Sequence, residues 1–279
     1  MRNGKWMLWL AGAVMLLWAF GRLDIAGEAQ AVMAPPMEEN LFAMATPAPP
    51  DGFSIEVLSV AEEKEKPHRV LIYHTHTYEA FEQTAESPYR ETEKWRTADS
   101  GHNMVRVGEE LAALLRSLGM EVVHDQTAFE PPNLSSAYTR SLEMLRERQA
   151  AGETYDLYID LHRDAFIASY GGGNTVNVGG VEAAKLMMLI GKGEGQTGQG
   201  FDEKPDWEKN LAIAQKITDA LNDQVQGICR KVSVKSGRYN QHVADACLLV
   251  EAGNNKNTLA EVLAAMPYLA DAIAAAMEK

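Results

Sequence analysis

Cysteine is nearly absent from this chain: Cys229 and Cys247 are the only two in 279 residues. Their spacing excludes a cysteine-based zinc site, so any metal must be held by histidine and carboxylate. The two would bridge only outside the cytoplasm; as free thiols they serve as small core residues. Basic charge is also in short supply. A net charge of −13 excludes the basic face that nucleic-acid phosphates require. No internal repeat is present, and neither an H-E-x-x-H nor an H-x-x-x-H pair occurs, which removes the helical zinc-protease pattern. What is present is a 46% hydrophobic content, enough for a sizeable core.

The apolar residues are unevenly spread. Residues 6–20, WMLWLAGAVMLLWAF, form one uninterrupted run behind Arg2 and Lys5. A basic start before an apolar centre marks an export signal or a membrane anchor. The run is short of the about 20 residues of a typical span, and Ala29–Ala31 offers a cleavage site. Trp6, Trp9 and Trp18 near its ends favour an uncleaved anchor over a cleaved signal. Residues 1–26 are therefore expected to be a transmembrane anchor or signal, and the rest extracytoplasmic. Residues 27–66 carry Pro35, Pro36, Pro47, Pro49 and Pro50 and read as an extended linker. Within it, the alternation of FSIEVLSV at 53–60 would suit a short edge strand.

From residue 67 strands and helices alternate. RVLIYH, MEVVHD and YDLYIDLH read as strands, separated by helical patterns over NMVRVGEELAALLRSLG and LSSAYTRSLEMLRERQAAG. TVNVGG and KLMMLIG read as two more strands, paired as a hairpin. A long helix begins near Asp206, a suitable N-cap. KVSVKSG and ACLLVEAG are late strands, and Thr258 with Glu261 forms a capping box for the last helix. The pattern predicts one α/β domain over 67–279, a mostly parallel central sheet with helices on both faces.

Ionisable residues gather at three strand ends: His74, His76 and Glu79 after the first, His162 on the third, and Glu251 on a late one. In open α/β sheets strand ends are where function collects. Singly, each is more often a solvated or capping residue. Together, two histidines and a carboxylate are a zinc donor set, and a further carboxylate is what a metal-activated water needs as its base.

IYHTHTYEAF, IDLHRDA, GRYNQ and LLVEAGNNKNTLAEV, in that order, resemble the stage II sporulation protein P family over roughly residues 66–279. That family resembles the zinc-dependent N-acetylmuramoyl-L-alanine amidases. The resemblance implies an amidase-like fold, peptidoglycan as substrate, an amidase cut with a further endopeptidase cut, and a setting in engulfment during sporulation. It implies zinc as cofactor, the cytoplasmic membrane as location, and stage II sporulation proteins D and M as partners. Carried over by position, it makes His76, Glu79 and His162 the metal ligands and Glu251 the catalytic base. In the wider amidases the ligand glutamate lies nearer the next helix, so Asp99 and His102 rival Glu79. His74 would lie on the side of His76 if the strand ran on, as a supporting or substrate-contacting residue, or would serve equally as a structural hydrogen bonder. Arg163 and Asp164 would orient His162 or bind stem-peptide carboxylates, with plain ion pairs as the simpler role. Tyr239, Asn240 and Gln241 would line the groove, with His242 on the surface. The rival readings are a non-catalytic wall-binding scaffold and a zinc deacetylase; the missing H-x-x-x-H pair argues against the latter.

Overall fold

The chain alternates short apolar segments with amphipathic ones, and the fold sorts them into a sheet with helices on its two faces. A computed structural model describes residues 66–166, 173–194 and 203–278. The expected anchor, nearly all of the linker, and the edge strand at 53–60 lie outside these. Eight strands are described: β1 (Arg69–Tyr73), β2 (Glu121–His124), β3 (Leu157–Asp164), β4 (Thr175–Val178), β5 (Val181–Ala184), β6 (Leu186–Gly191), β7 (Ser233–Lys235) and β8 (Cys247–Asn254). The helices are α1 (Met104–Ser117), α2 (Ala137–Ala150), α3 (Trp207–Gln224) and α4 (Leu259–Met277).

Six strands form the main sheet in the order β2-β1-β3-β8-β6-β7. β2, β1, β3 and β8 are mutually parallel; β6 runs antiparallel to β8, and β7 follows β6. The expected mostly parallel α/β sheet is therefore present. One pairing differs from expectation. β4 pairs with β5, not with KLMMLIG, and the latter enters the main sheet as β6. Gly179 and Gly180, at φ 61° and 91°, close the hairpin as a two-residue turn that requires left-handed backbone at both positions. The two glycines that end TVNVGG are the turn, and VEAA, not KLMMLIG, is the second strand of the hairpin.

Strand alternation divides the core in two. Val70, Ile72, Leu157, Ile159, Leu161, Met188, Leu248 and Val250 face α1, α3 and α4. Leu71, Tyr73, Tyr158 and Cys247 face the opposite way, toward Ala137 and Leu145 of α2. Cys229 and Cys247 are both buried and free.

α4 is long and apolar enough to cross a membrane by composition, yet it buries Val262, Ala265, Met266, Leu269, Ala270, Ala272 and Ile273 against α1 and α3. Its capping box is complete: Thr258 Oγ1 accepts from Glu261 N at 3.2 Å and Glu261 Oε2 accepts from Thr258 N at 3.0 Å. Asp206 stands at the start of α3 as expected, but its side chain makes no capping bond and pairs with Lys209 at 3.2 Å instead.

The topology fixes where a site can form. From β1 the chain passes through α1 on one face to β2, then through α2 on the other face to β3. The carboxyl ends of β1 and β3 thus lie at a switch point, where diverging connections leave a crevice. Replacing Thr258 with alanine is expected to lower stability by about 1 kcal/mol, read as a shift of the urea midpoint with an unchanged slope.

Candidate active site

On β3 the apolar alternation is broken by two polar residues two positions apart, Asp160 and His162. Period-two geometry puts both on the α2 face. His162 is in register with Glu251 on β8, and Glu251 is in register with Met187 on β6. Residues in register on neighbouring strands stand side by side on one face. The loop after β1 brings the remaining groups. The His76 and His162 rings lie edge to face, centroids 5.2 Å apart. Glu79 Oε2 is 3.5 Å from His162 Nδ1. Asp99 and His102 are engaged with each other instead, at 2.9 Å, and both are solvent-accessible. Thus the fold gathers His76, Glu79, His162 and Glu251 around one crevice.

Asp160 underpins this group. Its Oδ1 accepts from Thr75 N at 2.8 Å and lies 2.7 Å from His162 Nε2, off the line of a hydrogen bond. Its Oδ2 accepts from the Thr75 hydroxyl at 2.7 Å. That hydroxyl has one proton, so the 2.8 Å contact between Thr75 and Ser141 must run from Ser141 to Thr75. Asn240 Nδ2 in turn donates to Ser141 Oγ at 3.0 Å. A directed chain therefore links the GRYNQ loop to the carboxylate beneath His162. Asp160, Thr75 and Ser141 escaped the sequence reading, although an aspartate two positions before His162 in an apolar strand was a usable signal.

The ionisation states follow from these contacts. Burial opposes charge on His162, but Asp160 and Glu79 on either side overcome it and hold the imidazole well above its usual range. Burial likewise raises Glu79, yet the hydrogen bond and charge of His162, with Arg163 and His76, bring it down to about 2. Arg163 also clamps the loop by donating to Ala80 O at 3.0 Å and Trp95 O at 3.2 Å, while its backbone N–H donates to Glu79 at 3.2 Å. Glu251 is pushed up to about 8, chiefly by burial, against the opposing charge of His162.

His76 also lies 3.5 Å from Glu130 Oε1. Glu130 is buried, paired with Arg96, and accepts from Tyr78 N at 3.2 Å, so it holds the loop that carries His76. Tyr138 of α2 packs edge-on to His76 and stacks near His162, and Tyr239 meets Tyr138 edge-on. Tyr239 and Asn240 both have left-handed backbone, φ 49° and 53°, an arrangement that costs energy for bulky residues. A Cβ on Gly237 would come within 2.7 Å of the Tyr239 ring, and one on Gly191 within 2.6 Å. Two glycines thus make the seat for this tyrosine. Of the expected groove residues only Tyr239 joins the ring cluster. Asn240 turns into the scaffold, and Gln241 bridges Gly191 N and Leu189 O at 2.8 Å each.

Two histidine expectations are corrected. The strand ends at Tyr73, so His74 does not share the side of His76. It is buried beneath α1, where its Nδ1–H donates to Leu161 O at 2.9 Å and its Nε2 contacts His124 Nε2 at 2.8 Å. Burial and the neighbouring His124 lower its pKa to about 3. The neutral ring therefore accepts from His124 Nε2–H. Gly108 makes the space, since a Cβ there would meet both rings at 2.5–2.6 Å. His242 is not on the surface: its side chain is 1% exposed, and burial with Arg238 and Arg146 lowers it to about 4.

A zinc ion would need two nitrogens and a carboxylate with free lone pairs. Five buried side-chain atoms lack a hydrogen-bond partner among the described residues, and three of them are His76 Nδ1, His162 Nε2 and Glu251 Oε2. With Glu79, whose carboxylate faces His162 at 3.5 Å, the two imidazoles supply the donor types of a His₂Glu set, His162 once its proton is lost. Among the described residues, no three such side chains are already drawn together as a metal cluster.

The family model for Stage II sporulation protein P (SpoIIP) matches residues 28–274. The chain belongs to that family. Stage II sporulation protein P of Bacillus subtilis (strain 168) is 25% identical over 213 residues, covering 72% of this chain but 49% of the relative; the match thus spans about half the relative's length. Among solved structures, N-acetylmuramoyl-L-alanine amidase AmiC2 of Nostoc punctiforme is 14% identical with a TM-score of 0.43, over 75% of this chain and 94% of that one. An N-acetylmuramoyl-L-alanine amidase from Clostridium difficile 630 is 14% identical with a TM-score of 0.45, over 75% and 94%.

The histidine pair makes a pH prediction. His124 is held at about 4 by burial first and by Arg116 next, against about 6.5 when unfolded. Between those values the unfolded chain binds the extra proton, so stability falls as pH drops. His124→Gln keeps a donor for His74 but cannot titrate. Its unfolding free energy should vary less steeply between pH 6.5 and 4, by about one proton; an unchanged slope in denaturant titrations would contradict the assignment.

Proposed function

We propose that this sporulation-family protein hydrolyses peptidoglycan by a zinc-dependent N-acetylmuramoyl-L-alanine amidase reaction, with an endopeptidase cut as a second activity of the same site. The observation that carries the reading is the convergence of His76, Glu79, His162 and Glu251 at one sheet switch point, with buried, partnerless atoms on His76, His162 and Glu251. His76, Glu79 and His162 would hold zinc, which supplies a Lewis acid that lowers the pKa of water and offsets charge on the scissile carbonyl oxygen.

The protein's own groups do the rest. Asp160 fixes the His162 ring, and the Thr75–Ser141–Asn240 chain fixes Asp160. Glu251, whose pKa burial raises above the usual carboxylate range, is the group suited to take up a proton and return it. It takes the proton from the attacking water as the new C–O bond forms, then delivers it to the amide nitrogen as the C–N bond breaks. Tyr138 and Tyr239 flank the crevice and limit the access of bulk water.

The setting follows the family. The apolar run at 6–20 would anchor the chain in the cytoplasmic membrane with this domain outside, in engulfment, with stage II sporulation proteins D and M as partners. A non-catalytic wall-binding scaffold is a second reading, favoured by the uncollected donors.

Purified peptidoglycan incubated with zinc-loaded protein should yield free stem peptides; intact peptidoglycan would favour the scaffold. Glu251→Gln is nearly isosteric and should retain zinc while losing roughly 10²–10⁴-fold in rate. His76→Ala and His162→Ala should each lose most bound zinc by elemental analysis and keep a native circular dichroism spectrum. Zinc loss in Glu251→Gln would make that residue a ligand instead.

A further inference from the structure

In register with Glu251, on the next strand, stands Met187. Met187 and Leu189 are the floor of a groove of about 390 Å³ whose sides are Asp164, Arg230, Lys231, Val232, Ser233 and Lys235. Both floor residues occupy the strand phase of Glu251, since Met187 pairs with Glu251 and Leu189 with Leu249. The groove therefore continues the crevice across β6 to β7 on the same sheet face. Its volume falls within the range of small-ligand sites.

The charge of this groove runs against that of the chain. The protein carries a net charge of −13, yet the lining has three basic residues to one acidic. The acidic one, Asp164, is bound to Arg230 at 2.7 Å. Lys231 and Lys235 are exposed, and among the described residues neither has a carboxylate partner. Cations over an apolar floor suit a ligand with an aliphatic body and carboxylate substituents. Glu251 supplies a direction: the group that returns the proton must border the departing amine. In an amide cut at the sugar–peptide junction, that amine belongs to the peptide.

We propose that the β6–β7 groove is the subsite for the departing peptide arm, which lays its aliphatic part on Met187, Leu189 and Val232 and turns its carboxylates toward Lys231 and Lys235. The inference rests on the hydrolase reading for its orientation, and it assigns the sugar side to the opposite flank, near His76 and Tyr138.

The test uses the full chain in detergent micelles and two synthetic probes, Ala-γ-Glu-Lys and the same tripeptide with its carboxyl groups amidated. Calorimetric titration at low salt should show the acidic form binding more tightly than the amidated one. Lys231→Gln/Lys235→Gln should weaken the acidic probe by about fivefold, as two exposed ion pairs imply, and leave the amidated probe unchanged. On peptidoglycan the double variant should raise KM with kcat held. Equal binding of the two probes, or an unaltered acidic probe in the double variant, overturns the subsite. Carboxylate-dependent binding by a protein that leaves peptidoglycan intact would uphold the groove and remove the hydrolase reading. Peptidoglycan cleavage with KM untouched in the double variant would do the reverse.

Discussion

His162 and Asp160 approach to 2.7 Å on the sheet face that also buries Leu71, Tyr73, Tyr158 and Cys247. A buried charge pair returns less than its desolvation costs unless further hydrogen bonds complete it. Thr75 gives Asp160 two such bonds, one from its backbone and one from its hydroxyl. That requirement organises the neighbourhood. The chain must leave β1 at Tyr73 so that Thr75 can reach across. Ser141 must face inward from α2, and Asn240 must adopt a left-handed backbone to donate to it. The loop after β1, the second helix and the segment before β8 are thereby tied to one carboxylate. Their placement sets the distances among His76, Glu79 and His162.

The sheet and its helices were legible because their physics is local. Alternating apolar runs, a glycine after α1, and the Thr258–Glu261 box each act over a few residues. The site was legible in part for the same reason: His162 and Glu251 stand out against apolar strands. The directions of side chains after a strand ends were not. His74 and His76 differ by two residues, and period-two reasoning puts them together, but the turn after Tyr73 sends them to opposite faces. Glu130 lies in a proline-flanked loop with no periodicity, and its meeting with His76 depends on a tertiary approach. His242 follows a polar loop and reads as exposed, whereas packing of that loop against α3 and β8 buries it.

Family membership and site geometry meet at different scales. The family match extends over most of the chain, while the proposed chemistry turns on about six side chains. Asp160, His162 and Glu251 sit on strands at the sheet centre, and the 76–79 loop is pinned by Arg163 and by the Glu130–Arg96 pair.

The outer strands of the main sheet are its shortest. β2 has four residues and β7 three, and they carry Glu121 at one border and Lys235 at the other. An open sheet invites another strand along each border, and brief, charged borders discourage that pairing. The terminal strands thus keep the molecule from joining sheet to sheet with another copy.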